Sequence, residues 1–461
     1  MAGLNLRGDT SGSVEIVSPA VAGDNTITLP NDNGSANQFF KNSTTAGIVT
    51  HSSMIEDASG NIGIGTTTPT ETLHVVGDAR VTGILTVGTA SVTLNGDTGV
   101  ISGINTINGI SYPSGGQLFA RNMVDNGEMQ IAQRAMPITG IADASGILEY
   151  GIDRFTFGVQ DIGTWTYDQG SGISTEGFTN SAKMTCTSGD ASTTGVEYAL
   201  LIHYIEAQDC QRLKFGTSAA ESITLSFWVK SNKTGNASFD FRIEDNSYQL
   251  ASAGYTINSA NTWEYKTITF NGDTASTIAN DNGRGLQMTW WLNSGPDFSG
   301  GSFQDWGALV NANRNVNNLG VGGETNDYFE ITGIQLETGT RATPFEHRTY
   351  QEYLNKCLRY YTDTRSTATN SALTIGQAIS SARIGVSLNW KQTMRAAPTV
   401  TIYSSANTAG KVTNYNSNTE PSGTTFTSSN ASRLGIQHVT GGSGLTSGNW
   451  YRFRYTAVSE L

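Results

Sequence analysis

Three stretches of this chain alternate apolar and polar side chains with a period of two. In residues 222–230, Ile223, Leu225, Phe227 and Val229 fall on one side, and Thr224, Ser226 and Trp228 on the other. Phe239, Phe241 and Ile243 alternate with Asp240 and Arg242, while Leu286, Met288, Trp290 and Leu292 alternate with Gln287, Thr289 and Trp291. Every second side chain of a strand shares a face, so each stretch reads as a half-buried antiparallel strand, and together they predict a β-sandwich. The alternation shifts phase at Gly333, between Phe329 and Leu336, which predicts a bulge. Composition agrees: 37% hydrophobic and 14% charged residues with 53 glycines suit short strands and many turns. A chain of 461 residues exceeds one ordinary core and implies two to four domains.

Charge narrows the partners. The net charge is −12 and no basic run occurs, whereas binding a phosphate backbone needs clustered Lys and Arg. No stretch approaches the ~20 apolar residues of a membrane span. Met1 to Asn5 show no charged-then-apolar signal segment, so synthesis in a bacterial cytoplasm is expected. Cys186, Cys210 and Cys357 have no ligand-like spacing and are expected to be buried free thiols.

The first third has few large apolar side chains. It reads as short β segments at residues 13–18, 26–29, 62–64, 73–76 and 81–87, with glycines between them. One copy offers a narrow apolar ridge and open strand edges, which is too little to stand alone. Three copies about an axis would join the ridges and pair the edges, so a homotrimer is expected. Gly12-Ser13-Val14-Glu15-Ile16 with Gly23-Asp24-Asn25-Thr26-Ile27-Thr28-Leu29-Pro30, and Asp57-Ala58-Ser59-Gly60-Asn61-Ile62-Gly63-Ile64-Gly65-Thr66, resemble the opening of bacteriophage tail-fibre proteins. The resemblance implies a tail-attachment segment over 1–50, held by a tail, baseplate or adaptor protein, and a β-rich trimeric shaft over 51–118.

From Leu118 the texture changes, and all but two of the 8 Trp residues lie between there and Trp306. Asn122-Met123-Val124-Asp125-Asn126-Gly127-Glu128-Met129, Tyr150-Gly151-Ile152-Asp153-Arg154-Phe155, Phe227-Trp228-Val229-Lys230 and Ile331-Thr332-Gly333-Ile334-Gln335-Leu336-Glu337 occur in that order. In combination they resemble jelly-roll carbohydrate-binding modules in the version seen on phage fibres. That implies a carbohydrate-binding domain over 119–348. The paired acids that often hold structural calcium in such modules are missing from the closing strand, leaving Glu128 as a lone candidate. No metal or other cofactor is expected.

A sugar is held by laying its apolar face on an aromatic ring while amides and carboxylates take the hydroxyls. Trp228 and Trp291 face away from the core in the alternation. The long segment 293–326 carries Asp297, Phe298, Phe303 and Trp306. These six are the candidate carbohydrate-binding residues. Outward aromatics also fill subunit interfaces, and both readings stay open.

Thr349 and Glu352 form a capping-box pattern, and Tyr350, Tyr353, Leu354, Cys357, Leu358 and Tyr361 make one helical stripe, predicting a connecting helix within 349–363. The passage from Gln335 to Tyr361 resembles the junction before the distal domain of phage fibres. Residues 364–461 alternate again, at Ile384, Val386, Leu388 and Trp390, at Leu434 and Ile436, and at Tyr451, Phe453 and Tyr455. They predict a β-sandwich knob, a candidate receptor-binding domain, ending on a strand over 450–458, with exposed loops at 404–410 and 414–429.

No GxSxG, HExxH or P-loop pattern occurs, and the five His residues are scattered, so no enzyme is expected. The whole reads as an all-β, elongated, homotrimeric tail fibre of a virion that recognises bacterial surface polysaccharide or lipopolysaccharide. A purely structural virion component and a polysaccharide-degrading tailspike are the alternatives.

Overall fold

The computed structural model describes residues 4–7, 13–16, 28, 38–42, 49–77, 79–80, 82, 84–86, 93–95, 100–102, 106–107, 110–111, 119–142, 146–244, 248–365, 373–423, 425–441 and 443–461. The described chain is almost entirely β. It divides into two compact units, Met1–Ile104 and Asn105–Leu461.

In the first unit, Leu4–Arg7 pairs with Ser13–Ile16 as a hairpin. Gln38–Asn42, Val49–Glu56, Ile62–Ile64 and Leu73–Val75 form a four-stranded sheet whose last pair is parallel. Ile84–Thr86, Thr93–Asn95 and Val100–Ser102 form a third sheet. Of the expected short strands, 62–64 is present in full and 73–76 over Leu73–Val75; 13–18 and 81–87 are strands over Ser13–Ile16 and Ile84–Thr86, and 26–29 lies outside the described residues except for Thr28. Ile55 is buried, but Phe39, Ile64, Leu73 and Val76 are between 36% and 61% exposed in a single copy.

The second unit begins with a sandwich of two antiparallel sheets. One has six strands in the order Ile138–Ile141, Thr164–Ser171, Asn180–Ser188, Tyr328–Thr338, Ile223–Ser231, Glu264–Phe270. The other has seven, in the order Ile147–Tyr150, Phe155–Gln160, Tyr198–Glu206, Arg284–Ser294, Gly235–Ile243, Gln249–Ile257, Gly307–Ala308. Their inner faces supply one core, in which Trp165, Met184, Phe227 and Ile331 of the first sheet meet Phe157, Leu201, Phe239, Met288 and Trp290 of the second. The inward sets Ile223, Leu225, Phe227, Val229 and Leu286, Met288, Trp290, Leu292 are all buried, as their period requires. The bulge falls where the phase shift puts it: Ser226 pairs with Gln335 but Trp228 with Thr332, and Gly333 sits at φ 61°. A Cβ there would come within 2.7 Å of the Phe178 ring and 3.1 Å of Trp228 Cδ1, so glycine lets two aromatic rings close over the bulge.

The helix spans Tyr350–Leu358, and both hydrogen bonds of its capping box with Thr349 and Glu352 are made. Tyr353, Cys357 and Leu358 are buried, whereas Tyr350, at the N-terminal end of the expected stripe, is exposed. All three cysteines are buried and free.

Beyond the helix the sheet closes on itself instead of splitting into two layers. Trp450–Val458 pairs with both Thr374–Ser380 and Thr399–Tyr403. Between those two the pairing continues through Arg383–Asn389, Gly435–Gly441 and Phe426–Ala431. Closure gives each strand of the ring two partners, which a small sandwich cannot do at its edges. Ile384, Ile402, Phe426, Ile436, Val439, Tyr451 and Phe453 fill the interior. Two expectations fail locally. Phe426–Ala431 is a strand where 414–429 reads as loop, because buried Phe426 draws it into the ring. Leu434 is 66% exposed, since it lies in the turn before Gly435–Gly441, where strand alternation has not begun.

Candidate functional site: two aromatic grooves on the sandwich

The alternation that buries Phe227 turns its neighbour Trp228 outward from the six-stranded sheet. Trp228 pairs in register with Tyr265 on one side and Thr332 on the other. The Trp228 and Tyr265 rings lie 5.3 Å apart at 48°, and Tyr265 is 45% exposed. They form one wall of an open groove of about 590 Å³ that is also lined by Glu176, Phe178, Ser226, Thr343, Phe345 and His347. Phe178, Phe345 and His347 pack mutually, with centroids 5.0 to 5.3 Å apart. His347 is 49% exposed at its side chain.

His347 is held from behind. Its Nδ1 lies 2.8 Å from Glu128 Oε1, which also accepts from Tyr353 Oη at 2.9 Å. Gln130 Nε2 donates to the other Glu128 oxygen at 2.5 Å. Glu128, the lone calcium candidate, is therefore occupied by protein partners. Among the described residues no group of three His, Cys, Asp or Glu side chains is arranged to hold a metal. Thr343 is fixed by Glu337, which accepts from its N–H at 2.8 Å and its hydroxyl at 2.7 Å. The groove thus offers an indole and a phenol for the apolar face of a pyranose, with the exposed Glu176 carboxylate and His347 imidazole at its margin for sugar hydroxyls.

The opposite face of the sandwich carries a second, smaller groove of about 240 Å³ on the outer side of the seven-stranded sheet. Its lining includes Leu148, Tyr198, Tyr204, Trp291 and Phe298 together with Arg242, Arg284 and Arg314. Trp291 points away from the sandwich core, as the alternation predicts, but it is fully buried in a satellite cluster with Leu200, Ile202, Tyr204, Tyr360 and Leu461. Arg314 lies 4.8 Å above its ring and Phe298 packs 5.3 Å away. The indole N–H donates to the buried Asp240 carboxylate at 2.6 Å.

The six candidate residues therefore do not make one site. Trp228 lies in the first groove; Trp291 and Phe298 lie in the second. Asp297 is exposed beside Phe298 on the short turn Pro296–Phe298. Trp306 packs 5.3 Å from Phe215 against the sandwich core, and its indole donates to the Asn271 carbonyl at 2.7 Å. Phe303 lies over Gly254, where a Cβ would come within 2.9 Å of its ring. Sequence reasoning missed Tyr265, Phe178, Phe345, His347 and the three arginines. Tyr265 shares the outer face of its strand with Thr267 and Thr269, opposite the buried Ile268 and Phe270, but nothing in that strand says which neighbour it will pair with.

No family model matches the chain, and no curated protein matches it. Among solved structures it is similar to the enzymatically active domain of tailspike protein 4 of bacteriophage CBA120. That likeness has 14% identity and a TM-score of 0.25, and it covers 47% of this chain and 21% of that one. The chain thus spans about a fifth of the tailspike domain's length. It is also similar to a CBM4 structure (13% identity, TM-score 0.24, covering 47% of this chain and 99% of that one). A third likeness is to TmCBM61 in complex with β-1,4-galactotriose, with 9% identity, a TM-score of 0.23 and coverage of 48% and 99%.

Proposed function

We propose that this chain binds carbohydrate, as a homotrimeric tail fibre of a bacteriophage that recognises the polysaccharide or lipopolysaccharide of a bacterial surface. One observation carries the reading: Trp228 and Tyr265 stand side by side on the sandwich surface, at the wall of a groove edged by Glu176, Ser226, Thr343 and His347. A pyranose stacks its C–H face on such a ring pair while polar groups at the margin take its hydroxyls. Residues 1–50 attach the fibre to the tail or to an adaptor, and residues 51–118 form the trimeric shaft. Trimerisation is supported by Phe39, Ile64, Leu73 and Val76, which one copy leaves exposed.

Each groove is open and shallow, so a single site is weak. Three sites per fibre raise the effective affinity by roughly 10²–10⁴ without a new contact. The chain holds glycan without cutting it, and the closed barrel of residues 364–461 is a further receptor-binding surface. Bacterial surface glycans arrayed on a chip and whole-cell pull-downs with the full chain test this. Binding to the surface polysaccharide of a subset of strains is expected, with no release of reducing sugar. Absence of binding across a broad strain panel removes the adhesion reading, sugar release replaces it with a degrading enzyme, and a folded monomer at micromolar concentration removes the fibre.

A further inference from the structure

The groove on the seven-stranded sheet differs in chemistry from the one that holds Trp228. Among the described residues its lining contains three guanidinium groups and no carboxylate. Arg242 and Arg284 share one carboxylate, Glu244: Arg242 bonds it directly, while the nearest Arg284 nitrogen stands 3.7 Å away. Arg314 is paired with Asp240, its Nε 3.2 Å from Oδ2. Among the described residues the three guanidiniums of the lining are paired with two carboxylates, and Arg284, 39% exposed at its side chain and the farthest from its partner, is the most open of the three. The protein as a whole is acidic, at −12, so an anion gains nothing from its general field and any attraction here is local.

The guanidiniums are also held in place. Arg284 stacks 4.2 Å from the Tyr204 ring and Arg314 lies over Trp291. Arg242 Nη2 donates to Gln287 Oε1 at 2.8 Å. Stacking fixes the planar fork of an arginine before the ligand arrives, and that fork matches the two oxygens of a carboxylate or phosphate. Tyr198 and Phe298, 6.0 Å apart beside the arginines, supply an apolar surface for a sugar ring. Asp297 is the exposed acid next along the chain from Phe298 and is not part of the lining.

We infer that this second groove binds an acidic sugar, a pyranose bearing a carboxylate or a phosphate ester, with Arg284 and Arg242 on the anionic group and Tyr198 and Phe298 against the ring. The inference rests on the carbohydrate reading above for the ring and on the arginines for the charge. It is tested on the full chain with indole ¹⁵N-labelled Trp, titrated separately with tetragalacturonate, its carboxyl-reduced neutral counterpart, and glucose 6-phosphate.

At least one of the anions should move the Trp291 indole signal and leave that of Trp228 in place. Which one does so identifies the substituent. The neutral counterpart should leave Trp291 unmoved at the same concentration. Arg284→Gln should weaken that anion by roughly tenfold or more. It leaves the Arg242–Glu244 pair intact, so folding is preserved, and Arg242→Gln should act in the same direction. A Trp291 signal that neither anion moves, or an anion affinity unchanged in Arg284→Gln, overturns the inference. The carbohydrate reading fails separately, if the full chain binds no bacterial surface polysaccharide at all.

Discussion

Replacing Arg154 by Ala is expected to destabilise the sandwich by about 3–5 kcal/mol, the usual cost of stranding a buried ionic partner. Arg154 is itself fully buried and held at a left-handed φ of 72°. Its Nε lies 3.6 Å from Asp125 and its Nη1 3.3 Å from Glu460, while Nη2 donates to the Tyr204 carbonyl at 2.5 Å. The guanidinium also stacks 3.5 Å over Tyr360. Burial pushes the Asp125 carboxyl up, but the positive charges of Lys356 and Arg154 outweigh it and hold Asp125 well below the usual carboxylate range. Alanine would keep the strained backbone, open a void, and leave Glu460 and Asp125 with less compensation. Urea unfolding at pH 7 measures the loss. A change under 1 kcal/mol would mean that the charges are hydrated, not buried. The cluster joins the strand Tyr198–Glu206, the turn after Tyr150 and the segment around Glu460, so it fixes the closed barrel against the groove-bearing sandwich.

His203→Phe is expected to remove much of the protein's sensitivity to acid. His203 is buried with its ring 4.7 Å from Phe155. Burial first, and the neighbouring Arg154 charge second, push its pKa down from 6.5 to about 3. Between those values the unfolded chain binds a proton that the folded chain refuses, so stability falls as pH drops below about 6.5. Asp153 acts in the opposite direction. Burial raises its pKa to about 6, so the folded chain takes up that proton first and gains stability as pH falls from about 6 towards 4. Both proteins share the Asp153 contribution, so their difference isolates His203. From pH 7 to pH 4 the wild type should lose about 3 kcal/mol relative to His203→Phe. Unfolding curves at several pH values measure this, and parallel pH profiles would show that His203 takes up its proton without cost in the folded state.

Much of this fold was legible because its signals are local. The period-two runs around Phe227, Phe241 and Trp290, the phase shift at Gly333, the Thr349–Glu352 cap and the strand Trp450–Val458 each depend on residues a few positions apart. What could not be read is pairing at long range. Trp228 could be assigned to an outer face, but its partner Tyr265 lies on another strand, and Phe178, Phe345 and His347 come from turns whose positions follow from the whole sheet order. Trp291 shows the same gap: its face was predictable, but its cover by Arg314 and Phe298 depends on how the loop after Ser294 folds back. Phe303 and Trp306 have the composition of a binding loop, yet Trp306 packs against Phe215, a contact no spacing announces. Ring closure in residues 364–461 likewise rests on strands about 50 residues apart meeting, Thr399–Tyr403 with Trp450–Val458.

The most direct measurement is the affinity of full-length Trp228→Ala for the purified surface polysaccharide of a strain that the wild type binds, with sedimentation run in parallel. The account predicts weakening by roughly 10- to 100-fold, as for loss of a central aromatic anchor, with the oligomeric state unchanged. Unaltered affinity would contradict it by taking this tryptophan out of the binding site, and a variant that no longer assembles would contradict it by making the residue part of a subunit contact.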